Sequence, residues 1–212
     1  MSIEIRSMVL GVVSTNCYCL SNTETKEAII VDPGDRGNLI ADRIEEEGLK
    51  LEAILLTHGH FDHIKGVDEL RERTGARVYA LDEEERLLKD PSLNLSNSMG
   101  GFGEGYTVAP DEYVHDGDML DIAGLKIRCI ATPGHTAGGA CFYIESEAIL
   151  ISGDTLFAGS VGRTDFPTGS MSTLVRSIKE KLMVLPDNTI VLPGHGEETT
   201  IADEKKYNPY LT

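Results

Sequence analysis

The sequence predicts an α/β fold, and three observations carry that reading. Short apolar runs rich in β-branched residues alternate with stretches of helical period. Glycine and proline clusters punctuate the chain, with 22 glycines and 8 prolines in all. Metal-ligand residue types recur just beyond the ends of apolar runs. At 212 residues and 41% hydrophobic content, the chain is long enough for a substantial core, and one domain spanning residues 1–212 is expected.

The elements follow in order. Apolar runs at 8–13, 16–20 and 28–31 read as antiparallel strands joined by short polar turns such as Ser21-Asn22-Thr23-Glu24. Asp32-Pro33-Gly34-Asp35 ends the third run. An amphipathic helix is expected over 37–47, with Leu39, Ile40 and Ile44 on one face and Gly48 at its end. A buried strand over 53–56, a helix over 66–73 closed by Gly75, a strand over 77–80 and a helix over 82–89 come next. Residues 90–108 lack periodicity and hold Asn94, Asn97 and four glycines, Gly100, Gly101, Gly103 and Gly105. Loops this long in compact domains are often functional, and Phe102 and Tyr106 could cover a substrate, so a lid is expected here. The second half repeats the theme, with strands at 119–122, 126–131, 140–145 and 148–152, a helix over 171–183 and a last strand over 189–192.

Thr57-His58-Gly59-His60-Phe61-Asp62-His63 directly follows the apolar run Ala53-Ile54-Leu55-Leu56. Three imidazoles and a carboxylate in six positions are costly to bury at a strand end unless something satisfies them together. Histidine and aspartate hold zinc, manganese and iron. Of the six histidines, two more follow Pro-Gly pairs, His135 after Pro133-Gly134 and His195 after Pro193-Gly194. Such pairs set tight turns and deliver the next side chain to the rim of a sheet. Asp154 follows the run Ala148-Ile149-Leu150-Ile151. His115, in a polar turn with Asp116 and Asp118, reads as a surface histidine. Asp32 either orients a ligand histidine through a hydrogen bond or serves its turn.

The ordered set His58-x-His60-x-Asp62-His63, then His135, Asp154 and His195, resembles the metallo-β-lactamase-fold hydrolases over nearly the whole chain. The stretch from Gly153-Asp154-Thr155 to Gly162-Arg163 resembles the glyoxalase II branch, the hydroxyacylglutathione hydrolases. The ending Asn208-Pro209-Tyr210-Leu211 resembles the short single-domain bacterial members. The resemblance implies a four-layer αββα sandwich, with two mixed sheets face to face and the metals at one edge. It implies two divalent ions, zinc first, with iron or manganese also suited. One would take His58, His60 and His135, and the other Asp62, His63 and His195, with Asp154 bridging and Asp62 and Asp154 as catalytic carboxylates. Water between two such ions is a hydroxide source near neutral pH. It would attack the carbonyl of a thioester such as an S-2-hydroxyacylglutathione, whose thiolate, with a pKa near ~8.5, departs without a strong acid.

The resemblance places Arg163 as a pin for the loop after Asp154 or a holder of substrate carboxylate; Asp165, Phe166 and Pro167 continue that loop as a pocket wall, and Phe102 and Tyr106 of the 90–108 loop are the expected substrate contacts. It leaves two alternatives. One is a persulfide dioxygenase with a single iron on His58, His135 and Asp154, and the other is a lactonase or other esterase. The chain departs from the pattern twice. Classical glyoxalase II has a C-terminal helical domain that contacts glutathione, whereas a short tail with Lys205 and Lys206 follows His195. The cysteine-ligand β-lactamases have their cysteine where Asp154 stands, which sets β-lactam hydrolysis aside.

Composition narrows the partners. The net charge is −16, from 35 acidic and 19 basic residues, which argues against a phosphate-backbone partner. The N-terminus lacks a basic patch with a long apolar core, and no apolar run approaches the ~20 residues of a membrane span. Cys17, Cys19, Cys129 and Cys141 form no C-x-x-C pair and read as buried free thiols. A cytoplasmic protein acting on a small molecule is expected, with no nucleic-acid or membrane partner.

Overall fold

The computed structural model describes residues 3–99 and 103–211. A first mixed sheet opens with an antiparallel meander of β1 (Ile3–Leu10), β2 (Thr15–Asn22) and β3 (Glu27–Val31). Helix α1 (Gly37–Glu46) crosses over to β4 (Lys50–Leu55), which runs parallel to β3. The short α2 (Phe61–Ile64) and α3 (Val67–Thr74) lead to β5 (Arg77–Leu81), parallel to β4. A 3-10 turn at Asp82–Glu84, α4 (Glu85–Leu88) and the long excursion to residue 108 precede β6 (Glu112–Val114), parallel to β5.

The second sheet repeats the plan. Strands β7 (Met119–Ile122), β8 (Leu125–Ala131), β9 (Ala140–Ile144) and β10 (Ile149–Gly153) pair antiparallel in sequence. A small hairpin, β11 (Leu156–Phe157) and β12 (Ser160–Val161), leads to α5 (Met171–Ser177) and its π-helical continuation Ile178–Leu182. Strand β13 (Ile190–Pro193) joins parallel to β10, β14 (Thr199–Thr200) covers its edge, and α6 (Ile201–Tyr207) follows. The two strand orders are β1-β2-β3-β4-β5-β6 and β14-β13-β10-β9-β8-β7.

The four layers can be read from side-chain alternation, since neighbours on a strand face opposite ways. Tyr18, Leu20, Ile29, Val31, Ala53 and Leu55 of the first sheet share a core with Ile127, Cys129, Phe142, Ile144, Ile151 and Leu192 of the second. Their alternates, Cys17, Cys19, Ile30 and Ile54, pack outward against Ile40, Ile44 and Leu70 of α1 and α3. On the far side, Ile130, Cys141, Tyr143, Leu150 and Val191 pack against Leu174, Ile178, Leu182 and Ile201. Strands buried on both faces explain the continuous apolar runs. The fold is the αββα sandwich expected, with all four cysteines buried and free. Among the described residues no helix is long and apolar enough to cross a membrane.

Some elements differ from expectation, each for a local reason. The first strand occupies 3–10 rather than 8–13. Gly11 (φ 69°) and Ser14 (φ 61°) turn the chain, and Val12 and Val13 stand exposed at the tip. Leu39 is exposed, because α1 buries Gly37, Ile40, Ala41 and Ile44, an i, i+3, i+4, i+7 stripe that leaves Leu39 off the seam. The helix expected over 82–89 begins as a 3-10 turn. Strands β6, β11, β12 and β14, of two or three residues each, are too short for periodicity to mark.

A candidate metal centre at the sandwich edge

The loop after β4 carries His58 and His60, and the short α2 that follows carries Asp62 and His63. The loops after β8, β10 and β13 bring His135, Asp154 and His195 to the same rim. His58, His60 and His135 form one triad with ligand atoms within 4.8 Å of one another, and Asp62, His63 and His195 form another. Asp154 lies between them. Its Oδ1 is 3.4 Å from His63 Nε2, and its Oδ2 is 3.6 Å from both His135 Nε2 and His195 Nε2. All seven residues singled out in the sequence thus meet at one rim.

Two glycines make the convergence possible. Gly134 adopts φ 138°, and a Cβ there would lie 2.3 Å from the Leu174 nitrogen. At Gly194 a Cβ would lie 2.2 Å from Asp154 Oδ1 and 2.8 Å from His63 Cε1. The Pro-Gly pairs therefore serve close approach as well as turning.

The imidazoles are held by acceptors behind them. His63 Nδ1–H donates to Asp32 Oδ2 at 2.8 Å, His135 Nδ1–H to the Arg163 carbonyl at 2.7 Å, and His195 Nδ1–H to the Ser14 carbonyl at 3.3 Å. Thr57 Oγ1 donates to Asp32 Oδ2 at 2.6 Å and is left to accept from His58 Nδ1, 3.2 Å away. These four rings therefore aim Nε2 inward, the nitrogen left for a metal. His60 instead directs Nδ1 toward His135 Nε2, 2.9 Å away. His58 Nε2, His63 Nε2 and Asp154 Oδ1 are buried without a hydrogen-bond partner. Orphaned polar atoms converging on one point, with a nitrogen-rich and carboxylate donor set, fit divalent cations.

Asp32 belongs behind this set. Although it also clusters with His58 and His63, its oxygens already accept from the Thr57 amide, the Thr57 hydroxyl and His63. It sits at φ 51°, so the turn role and the orienting role coincide. Thr15 Oγ1 similarly donates to Asp62 Oδ2 at 2.9 Å.

Charge follows burial and neighbours. Burial pushes His58 well below the usual histidine range and His60 down to about 3, so both are neutral donors. Burial would raise Asp62, but His63 and His195 outweigh it and hold the carboxyl at about 2. Asp154 is likewise held low against its burial, chiefly by His63. Burial opposes the charge on His63, yet Asp62, Asp154 and Asp32 lift it well above its ordinary value. A cation between these carboxylates would replace that proton.

Glu84 is a residue the sequence conceals, since the run Asp82-Glu83-Glu84-Glu85 looks like a solvated face. It is buried, accepting from the Gly59 amide and from the Gly138 amide, each at 2.8 Å. It thereby ties the loop of His58 and His60 to the loop of His135. Burial raises its carboxyl to about 7.

A cleft of ≈ 360 Å³ opens over the centre, floored by His60, Asp62, His135, Asp154 and His195. Val13, Leu95, Met99, Phe157, Val161 and Phe166 contribute apolar walls. Arg163 also lines it, paired with Asp165 through two 2.8 Å bonds and stacked 3.8 Å over Phe166. Tyr106 lies apart from this lining. It packs against the outer core, and its hydroxyl donates to the Phe61 carbonyl. Phe102 falls outside the described residues. The 90–108 segment is anchored to the centre by the Phe61 amide, which donates to the Asn94 carbonyl at 2.8 Å. Its Leu95 and Met99, apolar residues in a polar loop, are the sequence signal for its contribution to the cleft.

The metallo-beta-lactamase superfamily model matches residues 10–195. The chain is 42% identical to a probable metallo-hydrolase, YqgX, of Bacillus subtilis, covering 97% of this chain and 96% of that one. It is 37% identical to the hydroxyacylglutathione hydrolase GloC of Haemophilus influenzae, over 92% of each. Among solved structures, the BLEG-1 B3 metallo-beta-lactamase superposes with a TM-score of 0.92 at 40% identity, over 99% of this chain and 100% of that one. TTHA1623 in a di-iron-bound form gives 0.86 at 34%, over 97% and 100%.

Proposed function

The chain belongs to the metallo-beta-lactamase superfamily and is a metal-dependent hydrolase, and from that premise we propose that it is a binuclear thioesterase acting on small acyl-thiols such as S-2-hydroxyacylglutathione. The observation that carries the binuclear reading is the pair of triads flanking Asp154, one oxygen near His63 and the other near His135 and His195. His58, His60 and His135 would hold one divalent ion, and Asp62, His63 and His195 the other, with Asp154 shared. Zinc suits the set first, with iron or manganese as alternatives. Such ions supply Lewis acidity that makes water nucleophilic near neutral pH and polarises a carbonyl.

The chain's own groups do the rest. Asp62 and Asp154 are the catalytic carboxylates, ionised and available to orient an attacking water. Thr15 fixes Asp62, and Asp32 fixes His63. The apolar walls lower the polarity beside the centre, which strengthens the electrostatic contacts there. No acid stronger than water is needed for a thiolate to leave, because its pKa is near ~8.5. The relative named as a hydroxyacylglutathione hydrolase supports the thioester choice. The net charge of −16 and four buried free thiols support residues 1–212 acting as one cytoplasmic domain without a nucleic-acid or membrane partner.

The test is hydrolysis of S-D-lactoylglutathione by metal-loaded protein, with His58→Ala as control. A kcat/KM above about 10⁴ M⁻¹s⁻¹ that disappears in the variant is expected. A background rate overturns the thioesterase reading. A second reading is a mononuclear-iron persulfide dioxygenase on His58, His135 and Asp154; the TTHA1623 relative supports iron as the metal, while its two irons support the binuclear arrangement. Oxygen uptake with glutathione persulfide identifies it. Because one relative is a B3 metallo-beta-lactamase, turnover of a β-lactam belongs in the same assay set.

A further inference from the structure

Phe157 and Val161 reach the cleft from the β11–β12 hairpin, which at two residues per strand is too short to hold its own place. Its support comes from α6 and the segment after it. Glu204 is buried, and each of its oxygens accepts from the Gly159 amide at 3.1 Å. Oε1 also accepts from the Thr199 hydroxyl at 2.7 Å, and Oε2 accepts from Asn208 Nδ2 at 2.6 Å. Asn208 is fully buried and donates through the same Nδ2 to the Ser160 carbonyl at 3.0 Å.

Two buried polar side chains thus grip Gly159 and Ser160 at the hairpin turn. The lysines of the tail are committed elsewhere, Lys205 to the Leu185 carbonyl and Asp187, and Lys206 to the Tyr207 ring. Removing a donor or acceptor from such a network leaves a buried group unsatisfied, so the geometry is strongly specified. The hairpin's Phe157 ring lies 6.3 Å from that of His195, which places this wall beside the metal centre. Arg163 is the one lysine or arginine among the described lining residues, and it is paired with Asp165. Along the hairpin wall an anionic acyl group would have to displace Asp165 to gain that partner, whereas an uncharged one meets Phe157 and Val161 without that cost.

Resting on the thioesterase reading above, we propose that Glu204 and Asn208 are positioning residues that fix the hairpin as the acyl-side wall, and that the cleft takes a compact, uncharged acyl group. The Asn208-Pro209-Tyr210-Leu211 ending is then a specificity device acting through Phe157 and Val161.

The test measures kcat/KM for acetyl, butanoyl, hexanoyl, octanoyl and succinyl thioesters of one thiol, in the unaltered protein and in Asn208→Ala and Glu204→Gln. In Asn208→Ala the octanoyl-to-acetyl ratio is expected to rise about tenfold, through KM rather than kcat, with metal content unchanged. Glu204→Gln keeps an acceptor for Asn208 but turns an NH₂ toward the Gly159 amide and the Thr199 hydroxyl, so a smaller rise in the same ratio is expected. Succinyl thioester should be cleaved at least about tenfold more slowly than butanoyl. An unchanged chain-length ratio in Asn208→Ala, with only a lower Tm, overturns the specificity role. Equal rates for succinyl and butanoyl overturn the uncharged-acyl assignment. If the unaltered protein cleaves no thioester, the thioesterase reading fails and the acyl assignment falls with it. Hydrogen exchange at amides 156–161 still decides the clamp. At least about tenfold faster exchange in Asn208→Ala is expected, and unchanged exchange sinks it.

Discussion

Glu84 shows how one buried carboxylate can govern two loops. Its carboxyl sits near 7 because burial disfavours the charge, while an unfolded chain would hold it near its ordinary value of about 4.5. The fold therefore binds the proton more tightly than the unfolded chain does. The associated stabilisation is full below the ordinary carboxylate range and is lost as pH rises through about 7. Between pH 5 and 7.5 the unfolding free energy of the unaltered protein, relative to Glu84→Gln, should fall by about 2 kcal/mol. Denaturant titrations at both pH values measure this, and a pH-independent difference would count against the buried-carboxylate account. Asp32 gives a second test at this scale. Asp32→Ala removes the acceptor behind His63, and affinity for an ion at the Asp62, His63 and His195 triad should drop about 10–100-fold in a chelator-competition titration. An affinity within twofold of the parent would show that His63 is oriented by packing alone. The seven candidate ligands were open to a sequence reading because their types and strand-end positions are both unusual. Glu84, Thr15 and Thr57 were not, because nothing in a lone acid or threonine says which backbone amide or carboxylate it will meet.

Strands and loops divide the work differently. The core strands advertise themselves as continuous apolar runs because both faces are buried. The parts that shape the cleft are two-residue strands, tight turns and one long excursion, whose conformations are set by distant partners such as Phe61, Glu204 and Asn208. The turn before His195 can be tested directly. In Gly194→Ala the new Cβ would meet Asp154 Oδ1 at 2.2 Å, so the carboxylate or the turn must move. Loss of at least one bound ion and about a 10²-fold fall in kcat/KM are expected, read by metal analysis and thioester turnover. Full ion content in this variant would mean that the β13 turn yields without cost to the centre.

Across the whole molecule, the candidate ligands are shared between the two sheets, four from the loop and short helix after β4 and three from loops after β8, β10 and β13. Removing the ions leaves His58 Nε2, His63 Nε2 and Asp154 Oδ1 buried without a hydrogen-bond partner, so chelation should lower Tm. At free ion about a hundredfold above Kd, the stabilisation is about 2.7 kcal/mol, or about 5–10 °C for a chain of this size. Scanning calorimetry with and without chelator measures it, and coincident transitions would deny the centre any structural weight. The sharing has a kinetic side as well. An ion held by both sheets would be a rivet through their seam. If its release needs the seam to part, exchange with free isotope carries the steep temperature dependence of an unfolding step, and the dwell time of the ion becomes a clock for how often the two sheets part; release straight into the cleft would show the shallower dependence of an ordinary ligand.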